Sequence, residues 1–449
     1  MPHGLQTAMS LSKTNPICTP KAAEVLFSCR AASPATPLST VEDIISLYGF
    51  NDQASYADRA RKIVNEGFAR AYSYVQPPGL ALLEAAMYAV SPGFPLGLGL
   101  IALACCLWAS LFTVMASALK RSGAPYLLAL AAPTSLFFLN ALGEELGFGI
   151  WLSDCYASIL CLLSMALLTA SVSSRRPRFC AVGSGIALAG AAYMRAQMDI
   201  IALIITALVL ASLIARFAAR RFVPRSALLP RTAILMIVAY HALTLPYRIW
   251  NGGQWVTAGG FDHVWSMIWN YPSELPPEWA FFSDGGGTVG CAVDEIRCHY
   301  LHDLRLTNPA AATTAVYKHL TLTSLASHPI AWLRYKLHFV VAGWNWGGQG
   351  YALALVALFL AAVIGRYRGP ALMSLAAFLF ATTAGVFGPL ILLHLEVRYL
   401  EPLKLMLVCA GIYAASSLLA RLRPGSHVLE PGRARCADLR EGEHDVRQA

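Results

Sequence analysis

Charge is sparse in this chain: 13% of its residues are Asp, Glu, Lys or Arg while 57% are hydrophobic, and mean hydropathy is +0.53. A soluble domain carries roughly a quarter of its residues as charges, so a soluble enzyme, a disordered scaffold and a secreted disulfide-rich module are excluded. Metal-ligand spacing is lacking too. The eleven cysteines are scattered, and Cys105, Cys106, Cys161, Cys180 and Cys409 sit inside apolar runs where a thiol packs as a small hydrophobe. His299, His302 and Asp303 form one C-H-Y-L-H-D cluster with no second pair to complete a zinc site. No metal centre and no firm cofactor follow, although a divalent cation is compatible with the chemistry below. Residues 1–45 hold neither a spanning run nor a signal peptide with its apolar core and cleavage site. The net charge of +9 is spread as short basic clusters between apolar runs rather than over one face, which argues against a nucleic-acid partner.

What is present is a series of apolar runs, each near the roughly 20 residues that a membrane-spanning helix needs. Because every backbone polar group must be satisfied inside lipid, the fold class expected is an all-α polytopic bundle of about nine spans. They fall near 95–118, 125–143, 155–173, 179–194, 198–215, 231–247, 350–365, 370–388 and 403–420. Alternate connections carry Lys120 and Arg121, then Arg175, Arg176 and Arg178, then Arg216, Arg220, Arg221, Arg225 and Arg231, then Arg366 and Arg368, without an acid among them; Arg421 and Arg423 follow the last run. By the positive-inside rule those connections are cytoplasmic. The opposite connections hold Glu144, Glu145, Asp154, Asp199, Glu396 and Glu401 and are expected to face outward.

The organisation expected is a poorly ordered segment at 1–45 and a first extracytoplasmic loop with amphipathic helices at 46–94. Transmembrane helices over 95–248, an extracytoplasmic cap at 249–349, C-terminal transmembrane helices over 350–420 and a basic cytoplasmic tail at 421–449 complete it. The cap holds most of the tryptophan, among it Trp265, Trp269, Trp332 and Trp344, which fits either an interfacial belt or a sugar- or lipid-contacting surface. Within it, 328–344 reads as a helix on the outer membrane surface. Cys291 and Cys298 are the cysteine pair of this outward segment, where an oxidising compartment permits a disulfide across a short loop. With about nine spans and a cytoplasmic C-terminus the N-terminus lies outside, so a first helix is expected to be missing from this sequence.

Acids and arginines at the outer ends of spans are costly unless solvated or paired, which makes them functional candidates. Asp52 and Tyr56 are one helical turn apart in F-N-D-Q-A-S-Y-A-D-R-A, at the start of an amphipathic helix. There the Asp52 carboxylate serves either as a catalytic base or as a helix cap. Glu144, Glu145 and Asp154 are alternatives for a second acidic site. Arg195, Arg248 and Arg398 can grip phosphate oxygens or snorkel to lipid headgroups. His394, Glu396 and Tyr399 surround Arg398.

Several motifs occur in order. They are D-x-x-x-Y at Asp52 and Tyr56, Tyr74 with Pro77 and Pro78, an acid after the second clear span, Y-M-R-A-Q-M-D at 193–199, P-Y-R-I-W-N-G-G at 246–253, and E-V-R-Y-L-E-P at 396–402. From about 45 to 420 the chain resembles the GT-C superfamily of membrane glycosyltransferases, especially bacterial relatives of the family 39 protein mannosyltransferases and lipid A aminoarabinose transferases. The resemblance implies an inner-membrane enzyme that moves a sugar, with inversion, from a polyprenyl-phosphate carrier to a glycan, lipid or protein hydroxyl on the periplasmic or exterior side. It casts Asp52 as the base, and Glu396, Arg398 and Tyr399 match its E-x-R-Y motif. The competing reading is a transporter or flippase of a lipid-linked saccharide. No inverted repeat is detected, and the acids lie at the boundary rather than at midplane, which weighs against it.

Overall fold

The computed structural model describes residues 38–48, 52–71, 77–121, 153–218, 229–251, 265, 268–269, 289–344, 350–367, 369–392 and 400–422. No strand occurs among the described residues, and each regular element is helical. On the N-terminal side are α1 (Val41–Tyr48), α2 (Asp52–Glu66), the short α3 (Phe68–Ala71) and α4 (Gly79–Val90). The long apolar helices are α5 (Leu96–Arg121), α6 (Ser153–Ser171), α7 (Pro177–Met194), α8 (Ala196–Ala218) and α9 (Ala233–Trp250). Then come α10 (Val289–Val293), α11 (Glu295–Thr307), α12 (Thr314–Ser327), α13 (Pro329–Trp344), α14 (Gly350–Arg366), α15 (Pro370–Leu392) and α16 (Glu401–Leu422).

Among the described residues six helices, α5, α6, α8, α9, α15 and α16, are long and apolar enough to cross a membrane. That supports an all-α multi-pass membrane protein. Two more of the expected spans are helical, α7 with 18 residues and α14 with 17. The expected span at 125–143 lies outside the described residues. Folded structure also begins earlier than the expected boundary at residue 46, because Val41 and Ile44 of α1 are buried in the main core.

The bundle is organised around α6. Its sequence, SDCYASILCLLSMALLTAS, is apolar or small all round, the pattern of a helix enclosed by other helices. Accordingly 83% of its apolar window is buried, against 28% for α5. It packs on α5, α7, α15 and α16. Small residues set its approach to α7, where the Ser164 and Ser184 hydroxyls hydrogen-bond across the interface at 3.0 Å. On the next face of α7, Gly185 lies where an added Cβ would collide with the Met236 carbonyl and Ala239 of α9. Ile214, Phe217, Val238 and Ile249 on α8 and α9 stay exposed, a surface suited to lipid.

Pairings fix the helix directions. Asp154 at the start of α6 meets Arg195 just after α7, and Ser171 at the end of α6 meets Thr232 just before α9. Asp199 in the first turn of α8 meets Arg248 in the last turn of α9, and Thr206 meets His241. The starts of α6 and α8 and the ends of α7 and α9 therefore share one end of the bundle, and Arg195 alone turns the chain between α7 and α8. Lys120, Arg121, Arg175, Arg176, Arg178 and Arg216 belong to the opposite end. The two ends thus differ in charge as the alternating connections predict.

Residues 289–344 carry a separate small core. Ile268, Trp269, Val289, Leu301, Tyr317 and Trp332 are buried together around Cys298. The expected disulfide is present, Cys291 to Cys298, with Cα atoms 4.8 Å apart. Trp269 donates to the Thr321 hydroxyl at 2.8 Å and Trp332 to that of Ser324 at 3.1 Å. Both rings are core residues of this unit, neither an interfacial belt nor a contacting surface. On α13, Ile330, Leu333, Leu337 and Val341 are exposed at helical spacing, an apolar stripe of the kind expected on a membrane surface.

Candidate functional site

The end of the bundle at which α6 and α8 begin gathers charge that is almost wholly withdrawn from solvent. Asp154, in the first turn of α6, accepts hydrogen bonds from both Nε and Nη2 of Arg195, a two-point carboxylate–guanidinium pair. Asp154 is 8% exposed. Burial selects this geometry, since an isolated charge at the margin of an apolar bundle is costly until a partner meets it. Of the three alternatives for a second acidic site, the structure places Asp154 against Arg195; Glu144 and Glu145 lie outside the described residues.

One turn into α8, Asp199 is fully buried and accepts from Arg248 Nη2 at 2.7 Å and from the Tyr240 hydroxyl. Arg248 Nη2 also reaches the Tyr240 oxygen at 2.8 Å, and its Nη1 lies 3.3 Å from His241 Nδ1. The other ring nitrogen of His241 is 3.2 Å from the Thr206 hydroxyl. The fork of Arg248 is therefore committed to protein groups and its charge is balanced. Among the described residues its Nε has no hydrogen-bond partner, and neither do the two amide heteroatoms of Asn251 one turn further on.

Three N-terminal elements, α2, α3 and α4, border this end. Asp52 is the first residue of α2, and one turn later the buried Tyr56 hydroxyl lies 3.0 Å from Ser153 Oγ, beside Asp154. The expected Asp52 and Tyr56 helix is thus docked at the head of α6. Gly79 opens α4 directly against α7: an added Cβ would stand 2.6 Å from the Tyr193 carbonyl oxygen. Phe68 of α3 stacks near Trp250 at 4.9 Å, and Trp250 lies 5.8 Å from the Tyr247 ring. Along α2, Asp58 pairs with Arg61 and Lys62; burial raises its carboxyl, but the hydrogen bonds and charges of those two residues hold it below the usual carboxylate range.

Three features escaped the sequence reading. Asp199 was one of several outward acids, yet it is the partner of Arg248; its place four residues after Arg195, at the head of a span, was the available signal. Tyr240, His241 and Asn251 lie on the face of α9 that continues from Arg248 at spacings of eight, seven and three residues, too diffuse a pattern to single out. Glu84 interrupts an apolar segment and is 1% exposed on α4, its Oε2 without a partner. Burial pushes this carboxyl, which lies outside the spans, well above the usual carboxylate range.

His394, Glu396, Arg398 and Tyr399 lie outside the described residues. His299 and Asp303 are exposed on α11, and among the described residues no group of three or more His, Cys, Asp or Glu is placed to hold a metal ion. No family model matches the chain, and neither curated proteins nor solved structures give a match.

Proposed function

We propose that this protein is an inverting membrane glycosyltransferase. It takes a sugar from a polyprenyl-phosphate carrier and delivers it to a hydroxyl of a glycan, lipid or protein acceptor at the outer face of a bacterial inner membrane. The observation that carries this reading is the convergence at one bundle end of the Asp154–Arg195 pair, the Asp199–Arg248–Tyr240 cluster and the helix that Asp52 opens. It supplies what the chemistry needs: a carboxylate at a bundle margin, guanidinium groups held in place, and aromatic rings beside them.

In the proposed step the acceptor oxygen attacks the anomeric carbon while its proton passes to the Asp52 carboxylate. The bond from that carbon to the phosphate oxygen breaks, and the electron pair leaves with the polyprenyl phosphate. A phosphate leaving group needs positive charge rather than a proton. Arg398 is the first candidate to meet it, with Glu396 orienting the guanidinium, while Tyr399 and His394 flank the lipid. Arg195 and Arg248, each neutralised by an aspartate, brace this end of the bundle and leave the leaving-group charge to Arg398.

Asp52→Asn separates this role from helix capping, because Asn caps a helix about as well as Asp but cannot take the proton. With a polyprenyl-phosphate sugar as donor, turnover is expected to fall at least about a hundredfold with unchanged thermal stability, while Asp58→Asn on the same helix keeps activity. Near-normal turnover of Asp52→Asn removes Asp52 from the mechanism, and efficient transfer from a nucleotide sugar alone overturns the lipid donor.

A further inference from the structure

The last turn of α9 and the residue that caps it hold polar atoms that no group among the described residues meets. Arg248 and Asn251 are 7% and 3% exposed, and the unmet atoms are Arg248 Nε, Asn251 Nδ2 and Asn251 Oδ1. Buried polar groups are partnered with few exceptions, so three together call for an explanation. Their placement provides one. Thr244, Tyr247, Arg248 and Asn251 are buried at spacings of three, four and seven residues, whereas Leu245, Ile249 and Trp250 between them are exposed. Asn251 caps the C-terminus of α9, its N–H still bonding the Tyr247 carbonyl at 2.8 Å, and its burial places its side chain on the inward side with Arg248.

The three atoms define the chemistry of what fits. Two N–H donors and one carbonyl acceptor match a hydroxyl group, which accepts from the first two and donates to the third. A phosphate matches poorly: it offers acceptors alone and would face the Asn251 carbonyl oxygen, and the charge of Arg248 is already balanced by Asp199. The Tyr247 ring is buried on the same face, an apolar surface suited to the carbon face of a sugar.

We propose that Arg248 Nε and the Asn251 carboxamide bind hydroxyl groups of the transferred sugar, which makes Asn251 a specificity-determining residue. The inference rests on the glycosyl-transfer reading for the carrier of that sugar but not for the hydroxyl chemistry.

The test uses the full chain in lipid nanodiscs, as wild type, Asn251→Leu and Asn251→Ala. One arm measures thermal protection by neutral methyl glycosides of glucose, mannose, galactose and arabinose. The other measures binding of undecaprenyl phosphate with and without an attached hexose. At least one glycoside is expected to protect the wild type, and to bind each variant at least about tenfold more weakly. Asn251→Leu without ligand should melt no lower than wild type, because it deletes two unmet polar atoms. The proposal falls if no glycoside distinguishes the wild type from the variants, or if both variants melt lower and lose the two lipids equally. Glycoside protection lost in the variants, with neither lipid bound by any of the three proteins, keeps the Asn251 site and sinks the lipid-donor reading. Equal binding of both lipids by all three proteins, with no glycoside effect, does the reverse.

Discussion

The bundle end and the 289–344 unit each bury aspartate, and each meets the charge by different means. In the bundle, Asp154 and Asp199 are met by Arg195 and Arg248, 41 and 49 residues away at the ends of other helices. In the smaller unit, Asp294 caps α11 and its ion partner Arg297 is only three residues on, with Ser324 of α12 and His328 at 3.7 Å adding contacts from further along the chain. A local pair can form in an isolated turn and is worth little; a pair between helices exists only once the helices have docked, and then removing one partner strands a charge in an apolar place. Glu84 is a third case, a buried acid whose Oε2 has no partner among the described residues and whose carboxyl burial pushes well above the usual carboxylate range.

The sharpest way to break the comparison is Asp199→Asn. It leaves the Arg248 charge buried and uncompensated, and is expected to cost about 3–5 kcal/mol, read as a large fall in melting temperature in detergent. The double variant Asp199→Asn with Arg248→Met should recover most of it. No recovery would mean that Asp199 acts through packing rather than charge.

Next in size is the disulfide. Replacing Cys291 and Cys298 with Ala frees a short loop and should cost about 2 kcal/mol, confined to 289–344. Hydrogen exchange should quicken in α10 to α13 and stay unchanged in α6; equal quickening in both would join the two regions into one cooperative unit.

A smaller effect is expected at Glu84. Its folded carboxyl titrates above its unfolded value, so stability is full at pH below the unfolded value and is lost as pH rises through the folded one. Glu84→Gln should flatten that alkaline-side loss while changing little in acid. An unchanged pH profile would show that another group carries the dependence.

Asp294→Asn should be the mildest, about 1 kcal/mol, because Asn still caps α11. Burial raises the Asp294 carboxyl, but hydrogen bonds from Arg297 and Ser324 outweigh it and hold the group below the usual carboxylate range. Its contribution is therefore present above the ordinary carboxylate pKa and is lost as pH falls through the folded value. A loss as large as that of Asp199→Asn would erase the distinction between local and tertiary pairs.

Helices, their apolar character, the charge difference between the two ends and the Cys291–Cys298 bridge were all legible in the sequence. Each depends on near neighbours: run length, basic clusters and a seven-residue cysteine spacing. The sequence also marked Asp52, Tyr56, Arg195 and Arg248 by their place at helix ends. It could not pair Asp154 with Arg195, find Asp199 and Tyr240 as partners of Arg248, or see that Asn251 is left unmet among the described residues. Those facts turn on which helices lie side by side, and that is decided by the small residues of α6 and α7, by Gly185 admitting α9, and by the turn at Arg195. Chain-local chemistry sets where charges stand along each helix, but only docking of helices tens of residues apart decides which charge each one meets.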